Sequence, residues 1–303
     1  MDSRDIKEVP PVLEDFSYLE NIFGLQKELL DHYIKIEGLP PYDGFNINIK
    51  KNQNIIKDFT GRIIEELGES YESLVEIQSL SKKNKYWYGD FPDQDFKMVI
   101  NHLQNATEEV GDALHFMMEL LIYSDIDVND IKHNILNKYV QEYPALRVIL
   151  EKGNSLINMG GVLGLSMVCG AIVLTNENES TDSFEGVHKK DLMECAPKLV
   201  SSLNLDFYLY TCGRYYHPES YQLYKNMLWD VTYYLSLARN CLKNKPWKQS
   251  QMMTDEKKYQ GLVIKAFLVC MGTFYYMGFD PYTLFYVYFK KNKINQFRIK
   301  SKY

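Results

Sequence analysis

Alternating apolar and polar runs joined by hairpin turns are nearly absent from this sequence, which argues against a sheet-built fold. Cysteine is sparse too. The five present, Cys169, Cys195, Cys212, Cys241 and Cys270, are odd in number, scattered and never in a CxxC pair. That excludes a disulfide framework and a cysteine zinc site, and fits reduced core thiols in a cytoplasmic protein. Basic residues are not in excess: the net charge of -6 argues against a nucleic-acid polymer as the main partner, because phosphate-backbone binding needs a basic surface. The opening "MDSRDIKEVPP" is too charged for a signal peptide. Long uncharged runs are also scarce. One, "LINMGGVLGLSMVCGAIVLT" (156–175), is long enough to span a bilayer. Its glycines, with Asn158 and Ser166, favour a buried, closely packed helix over a membrane span.

What is there suits a helical protein. Across 303 residues, 46% are apolar and 24% charged, a globular balance that buries a sizeable core. Apolar residues recur at three and four, and Pro or Gly clusters separate the segments. This predicts helices near 17–36, 53–80, 94–124, 128–142, 145–175, 190–203, 218–243, 255–278 and 281–298. The expected fold class is an all-α helical bundle.

An internal repeat is also legible. "NKYWYGD" (84–90) resembles "NKPWKQS" (244–250), and "HNILNKY" (133–139) resembles "KNKINQF" (291–297). Trp87 to Asn137 is 50 residues and Trp247 to Asn295 is 48. One chain-long domain is therefore expected, with repeat one over about 20–142, a helical insert over 143–205 and repeat two over about 206–303. The first copy is acidic. The second ends in the basic "KKNKINQFRIKSK".

In "GRIIEELGESYESL" (61–74), a helical wheel sets Ile63, Ile64, Leu67, Tyr71 and Leu74 on one face and Glu65, Glu66, Glu69 and Glu72 on the other. Alone, that is a solvated face. In "NATEEVGDALHFMMELLIY" (105–123), however, Glu109 and Asp112 sit at i,i+3 on a helix that is apolar nearly all round. Carboxylates on a buried helix are costly unless compensated, and no Lys or Arg lies within 98–131. A divalent cation shared with Glu66 and Glu69 would resolve that cost. Oxygen-only ligands favour Mg²⁺ or Mn²⁺, and Mg²⁺ usually arrives with substrate phosphates. Such a centre can activate a water for attack on a phosphoryl group.

"EELGE" (65–69) followed by "EEVGDALHF" (108–116) resembles the ExxE…ExxD signature of the all-α NTP pyrophosphohydrolases, the MazG-like superfamily, in its dimeric dUTPase/dCTPase branch. "KNKINQFR" (291–298) is similar to that branch's closing motif, and "FGLQKELL" (23–30) looks like its first. The resemblance implies Mg²⁺-dependent cleavage of a deoxynucleoside triphosphate to the monophosphate and pyrophosphate, by a cytoplasmic homodimer controlling nucleotide pools. It implies metal ligation by Glu66, Glu69, Glu109 and Asp112, with Mn²⁺ as a substitute. It sets Lys291, Asn292, Asn295 and Arg298 on the phosphates or sugar, Gln26 on the base, and Lys85 and Trp87 over the nucleotide. The alternatives for the C-terminal cations and Gln26 are a solvated tail and a surface polar residue; for Trp87, a core anchor. His115 reads as a packed, hydrogen-bonded histidine. Two departures bear on the base: Leu30 stands where the first motif usually carries Asn, and "KYWYGD" is less basic than its counterpart. The Lys, Asn, Tyr and Ile content points to an AT-rich genome, such as a bacteriophage's. A catalytically inactive nucleotide-binding or interaction protein of the same fold is the rival reading.

Overall fold

The computed structural model describes residues 6–84, 93–151, 160–177, 218–243 and 253–301. Most of these are helical, with no strand among the described residues. The helices are α1 (Tyr18–Glu37), α2 (Lys50–Asn84), α3 (Asp93–Tyr123), α4 (Val128–Asn134), α5 (Val140–Glu142), α6 (Pro144–Glu151), α7 (Gly161–Glu177), α8 (Pro218–Cys241), α9 (Glu256–Tyr276) and α10 (Pro281–Ser301). A wide π-helical turn, Ile135–Tyr139, joins α4 to α5. The bundle expected from the periodicity is therefore present.

Each long helix buries the stripe its spacing dictates. On α1 the buried set is Leu19, Ile22, Phe23, Gln26, Leu29 and Leu30, and the helix stops at Gly38 in the left-handed region. On α2 it is Ile56, Phe59, Ile63, Leu67, Leu74 and Ile77. The Ser70 hydroxyl, on the same stripe, donates 3.0 Å to the Ala106 carbonyl of α3 and fixes the register of that antiparallel pair. α3 and α9 are buried almost all round, so they form the centre of the bundle. α2, α1 and α10 pack around α3, while α7 and α8 pack around α9.

One expected element differs. The continuous helix anticipated over 145–175 is two helices, α6 and α7. Gly160 and Gly161 take φ of 79° and 72°, which an α-helix cannot pass through, and a Cβ on Gly161 would lie 2.1 Å from the Phe16 carbonyl oxygen. α7 falls within the anticipated insert, yet it is a core element: Val162 to Leu174 are buried except half-buried Val168. It crosses α9 backbone to backbone, where a Cβ on Gly170 would meet the Leu268 carbonyl oxygen at 1.8 Å. Among the described residues no single helix is long and apolar enough to cross a membrane. The helix anticipated near 190–203 lies outside the described residues.

A capping turn recurs. α3 ends with Asp125 at φ 54°, with the Ile126 amide donating to the Leu121 carbonyl; α9 ends with Gly278 at φ 91°, with the Phe279 amide donating to the Phe274 carbonyl. Asp127 then caps α4 through the Asp130 amide, and Asp280 caps α10 through the Thr283 amide. Superposing the turns residue for residue sets Asn137 opposite Lys290 instead of Asn295. Trp87 and Trp247 lie outside the described residues.

Candidate metal centre

Glu66 and Glu69 stand one turn apart on α2, and the antiparallel register brings Glu109 of α3 alongside. One oxygen from each of the three lies within 4.8 Å of the others. Glu66 and Glu109 are half-buried and Glu69 is exposed, so the group reaches solvent. Burial first, then the neighbouring charges of Asp112, Glu109 and Glu69, push the Glu66 carboxyl well above its ordinary range. Glu109 is pushed up by burial and by Asp112 and Glu69, against the hydrogen bond it accepts from Glu66. Glu66 and Glu109 thus stand in a crowd of like charges that Lys291 only partly offsets at Glu109. The all-oxygen set fits a hard divalent cation.

Asp112 has a different partner. It forms a hydrogen-bonded ion pair with the Lys291 ammonium of α10. Burial raises the Asp112 carboxyl, while Lys291 first and Arg298 second draw it down. The charge compensation missing from 98–131 is thus supplied by the last helix. Gly111 makes the approach possible: a Cβ there would meet Val287 Cγ1 at 3.0 Å and Lys291 Cβ at 3.7 Å. The set of four expected metal ligands is therefore three mutually adjacent carboxylates, with Asp112 beside them held by a lysine.

The other members of the closing motif divide. Asn292 is buried, and its Nδ2 donates 3.3 Å to the Leu25 carbonyl while its Oδ1 accepts from Gln296, so it ties α10 to α1. Asn295 is half-buried and Arg298 exposed. Arg298 carries its charge toward Asp112 and the half-buried Tyr33 of α1. Lys293 pairs instead with Glu8, at 3.1 Å.

Gln26 is fully buried, contrary to a surface role. Its Nε2 donates 3.1 Å to Glu119 Oε1, and its Oε1 accepts 2.6 Å from the Tyr288 hydroxyl. One N–H and one oxygen lone pair of the amide are engaged, which anchors Gln26 between Glu119 and Tyr288. His115 is buried and stacked on Tyr288, with ring centroids 4.2 Å apart, and burial depresses it to about 3, so it stays neutral. The packed-histidine reading fits it. Lys85 and Trp87 lie outside the described residues.

Two residues near these acids, Arg62 and Glu119, escaped the sequence reading, while Phe116 is legible as a continuation of the Glu109 and Asp112 side. Arg62 lies over the Phe116 ring at 5.3 Å. Half-buried Phe116 stands one turn beyond Asp112 on α3. Glu119 is a buried carboxyl inside "MMELLIY", and a lone acid in so apolar a run was the available signal. A separate cavity of about 820 Å³ opens at the far end of α3, lined by Tyr42, Phe45, Tyr123, His133 and Gln260 among others. None of the four acids borders it.

No protein-family model, curated protein or solved structure matches the chain.

Proposed function

We propose that this chain is a Mg²⁺-dependent deoxynucleoside triphosphate pyrophosphohydrolase of the all-α, MazG-like type, releasing a monophosphate and pyrophosphate. The observation that carries the reading is the triad Glu66, Glu69 and Glu109, one carboxyl oxygen from each within 4.8 Å of the others, with Lys291 of α10 paired to the neighbouring Asp112. Glu66, Glu69, Glu109 and Asp112 would hold the Mg²⁺, or Mn²⁺ in its place, with Lys291 the cation nearest to that set. Such a metal, when bound, would supply charge neutralisation at the phosphate oxygens and a more acidic water. Lys291 and Arg298 bind and orient the phosphate chain, and half-buried Phe116 offers a face on which a base can stack. The recurring capping turn supports a duplicated helical unit with acids kept only in the first copy. A homodimer serving nucleotide-pool control completes the proposal.

The Lys291–Asp112 pair gives one reason to keep the inactive reading: a resident ammonium on an acidic site can also mark a nucleotide-binding protein that no longer turns over. Incubation with each deoxynucleoside triphosphate and Mg²⁺, with pyrophosphate and orthophosphate measured separately, decides between them. Pyrophosphate release supports the enzyme, whereas nucleotide binding without product supports the inactive protein.

A further inference from the structure

Between Val110 and Ser124 every residue of α3 and its following turn is buried except Asp112 and Phe116. These two mark a partly exposed stripe, and buried Glu119 continues it one turn beyond Phe116. Glu119 is only 6% exposed. At 1.5 Å per residue it stands ~10 Å along the helix from Asp112, the scale that separates a nucleotide's phosphates from its base. Its Oε1 is occupied by the Gln26 amide, which the Tyr288 hydroxyl orients from behind. Its Oε2 has no hydrogen-bond partner among the described residues.

We propose that Glu119 is the specificity-determining residue of this site, its free oxygen meeting the base edge and selecting a 4-oxo pyrimidine, uracil or thymine, over cytosine. This rests on the pyrophosphohydrolase reading of the acids. The chemistry follows from the hydrogen-bond direction. Tyr288 donates to Gln26 and Gln26 donates to Oε1, so Oε2 is the oxygen left to meet a ligand. With the carboxyl neutral, Oε2–H is a donor: it matches a carbonyl at the 4-position and opposes an amino group there. Burial raises the Glu119 carboxyl to about 8, and Glu37 and Asp58 add to that while Arg62 draws it down. The other titratable groups that interact with it are the phenols of Tyr33 on α1, Tyr123 on α3 and Tyr288 on α10. Above that range the ionised carboxylate accepts instead of donating, and the preference for a 4-oxo base is lost.

The test is calorimetric binding of the α,β-imido analogues of dUTP and dCTP with Mg²⁺, at pH 6.5 and pH 9, to wild type, Glu119→Gln and Glu119→Leu. Wild type is expected to favour the uracil analogue about tenfold at the lower pH and to lose that preference at the higher. Glu119→Gln, whose amide donates at both pH values, keeps the preference at pH 9, and Glu119→Leu discriminates less than about twofold. A wild-type preference that ignores pH, or one that survives in Glu119→Leu, overturns the assignment while leaving the phosphohydrolase reading in place. Binding of neither analogue by wild type removes that reading and the assignment with it. If Glu119→Leu fails a thermal-melt check for folding, the comparison of wild type with Glu119→Gln at pH 9 decides alone.

Discussion

Lys291 on the last helix closes an ion pair on Asp112 of the third, with each side chain less than a fifth exposed. The pair holds α10 against α3 and keeps a cation beside an otherwise acidic cluster. Lys291 therefore does two opposing things. It neutralises Asp112 in the free protein, and it competes with a metal for that carboxylate.

Replacing Lys291 with methionine separates these roles. Without metal the variant is expected to lose about 2 kcal/mol, because a largely buried carboxylate is left unpaired. Added Mg²⁺ then restores more stability than it gives wild type, since no ammonium competes. Thermal melts with and without Mg²⁺ measure both, and equal Mg²⁺ shifts in the two proteins would sink the competition.

Glu66 is held above its ordinary range by burial and by Asp112, Glu109 and Glu69, so at neutral pH its charge opposes folding. Glu66→Gln is expected to raise the metal-free melting temperature and to abolish the Mg²⁺-dependent rise. A variant that melts lower than wild type without metal would show that Glu66 is not under like-charge strain.

The crossing of α7 and α9 leaves no room for a side chain at Gly170. Gly170→Ala is expected to cost about 3 kcal/mol or more, read from denaturant melts, because backbone must move from backbone. Gly68, with nothing within 4 Å of an added Cβ, is the control, and Gly68→Ala should be neutral or mildly stabilising.

Glu119 links stability to pH. Its folded carboxyl titrates at about 8 against an ordinary 4.5. The folded state thus keeps a proton that the unfolded chain releases, and the stability this contributes is full below about 4.5 and gone above about 8. Glu119→Gln does not titrate, so its melting temperature should gain on wild type steadily across that window and level off beyond it. A constant offset between the two from pH 5 to 9 contradicts the linkage.

The sequence disclosed whatever depends on local spacing. The stripes of α1, α2 and α3, and the i,i+3 acids on α2 and α3, follow from a helical period that a single segment carries. What it hid depends on distant partners. Asp112 looked uncompensated because its cation lies 179 residues away. Gln26 looked like a surface polar group because Glu119 and Tyr288, which bury it, come from two other helices. Glu119 itself was passed over as part of an apolar run, although a charge among leucines is the kind of exception that marks a buried site. The break between α6 and α7 was written in adjacent glycines, but a run of apolar residues at helical spacing outweighed them. The Lys85 and Trp87 expectations lie outside the described residues and stand as proposals.

The central claim is that Glu66, Glu69 and Glu109 hold a Mg²⁺ that serves phosphate-chain hydrolysis. Its most direct measurement is pyrophosphate release from deoxynucleoside triphosphates as Mg²⁺ is titrated, for wild type and for Glu109→Gln. Pyrophosphate that rises with Mg²⁺ in wild type, and falls at least about 10³-fold in a folded Glu109→Gln, is the predicted result. Release that ignores Mg²⁺, or a Glu109→Gln variant as fast as wild type, would contradict it.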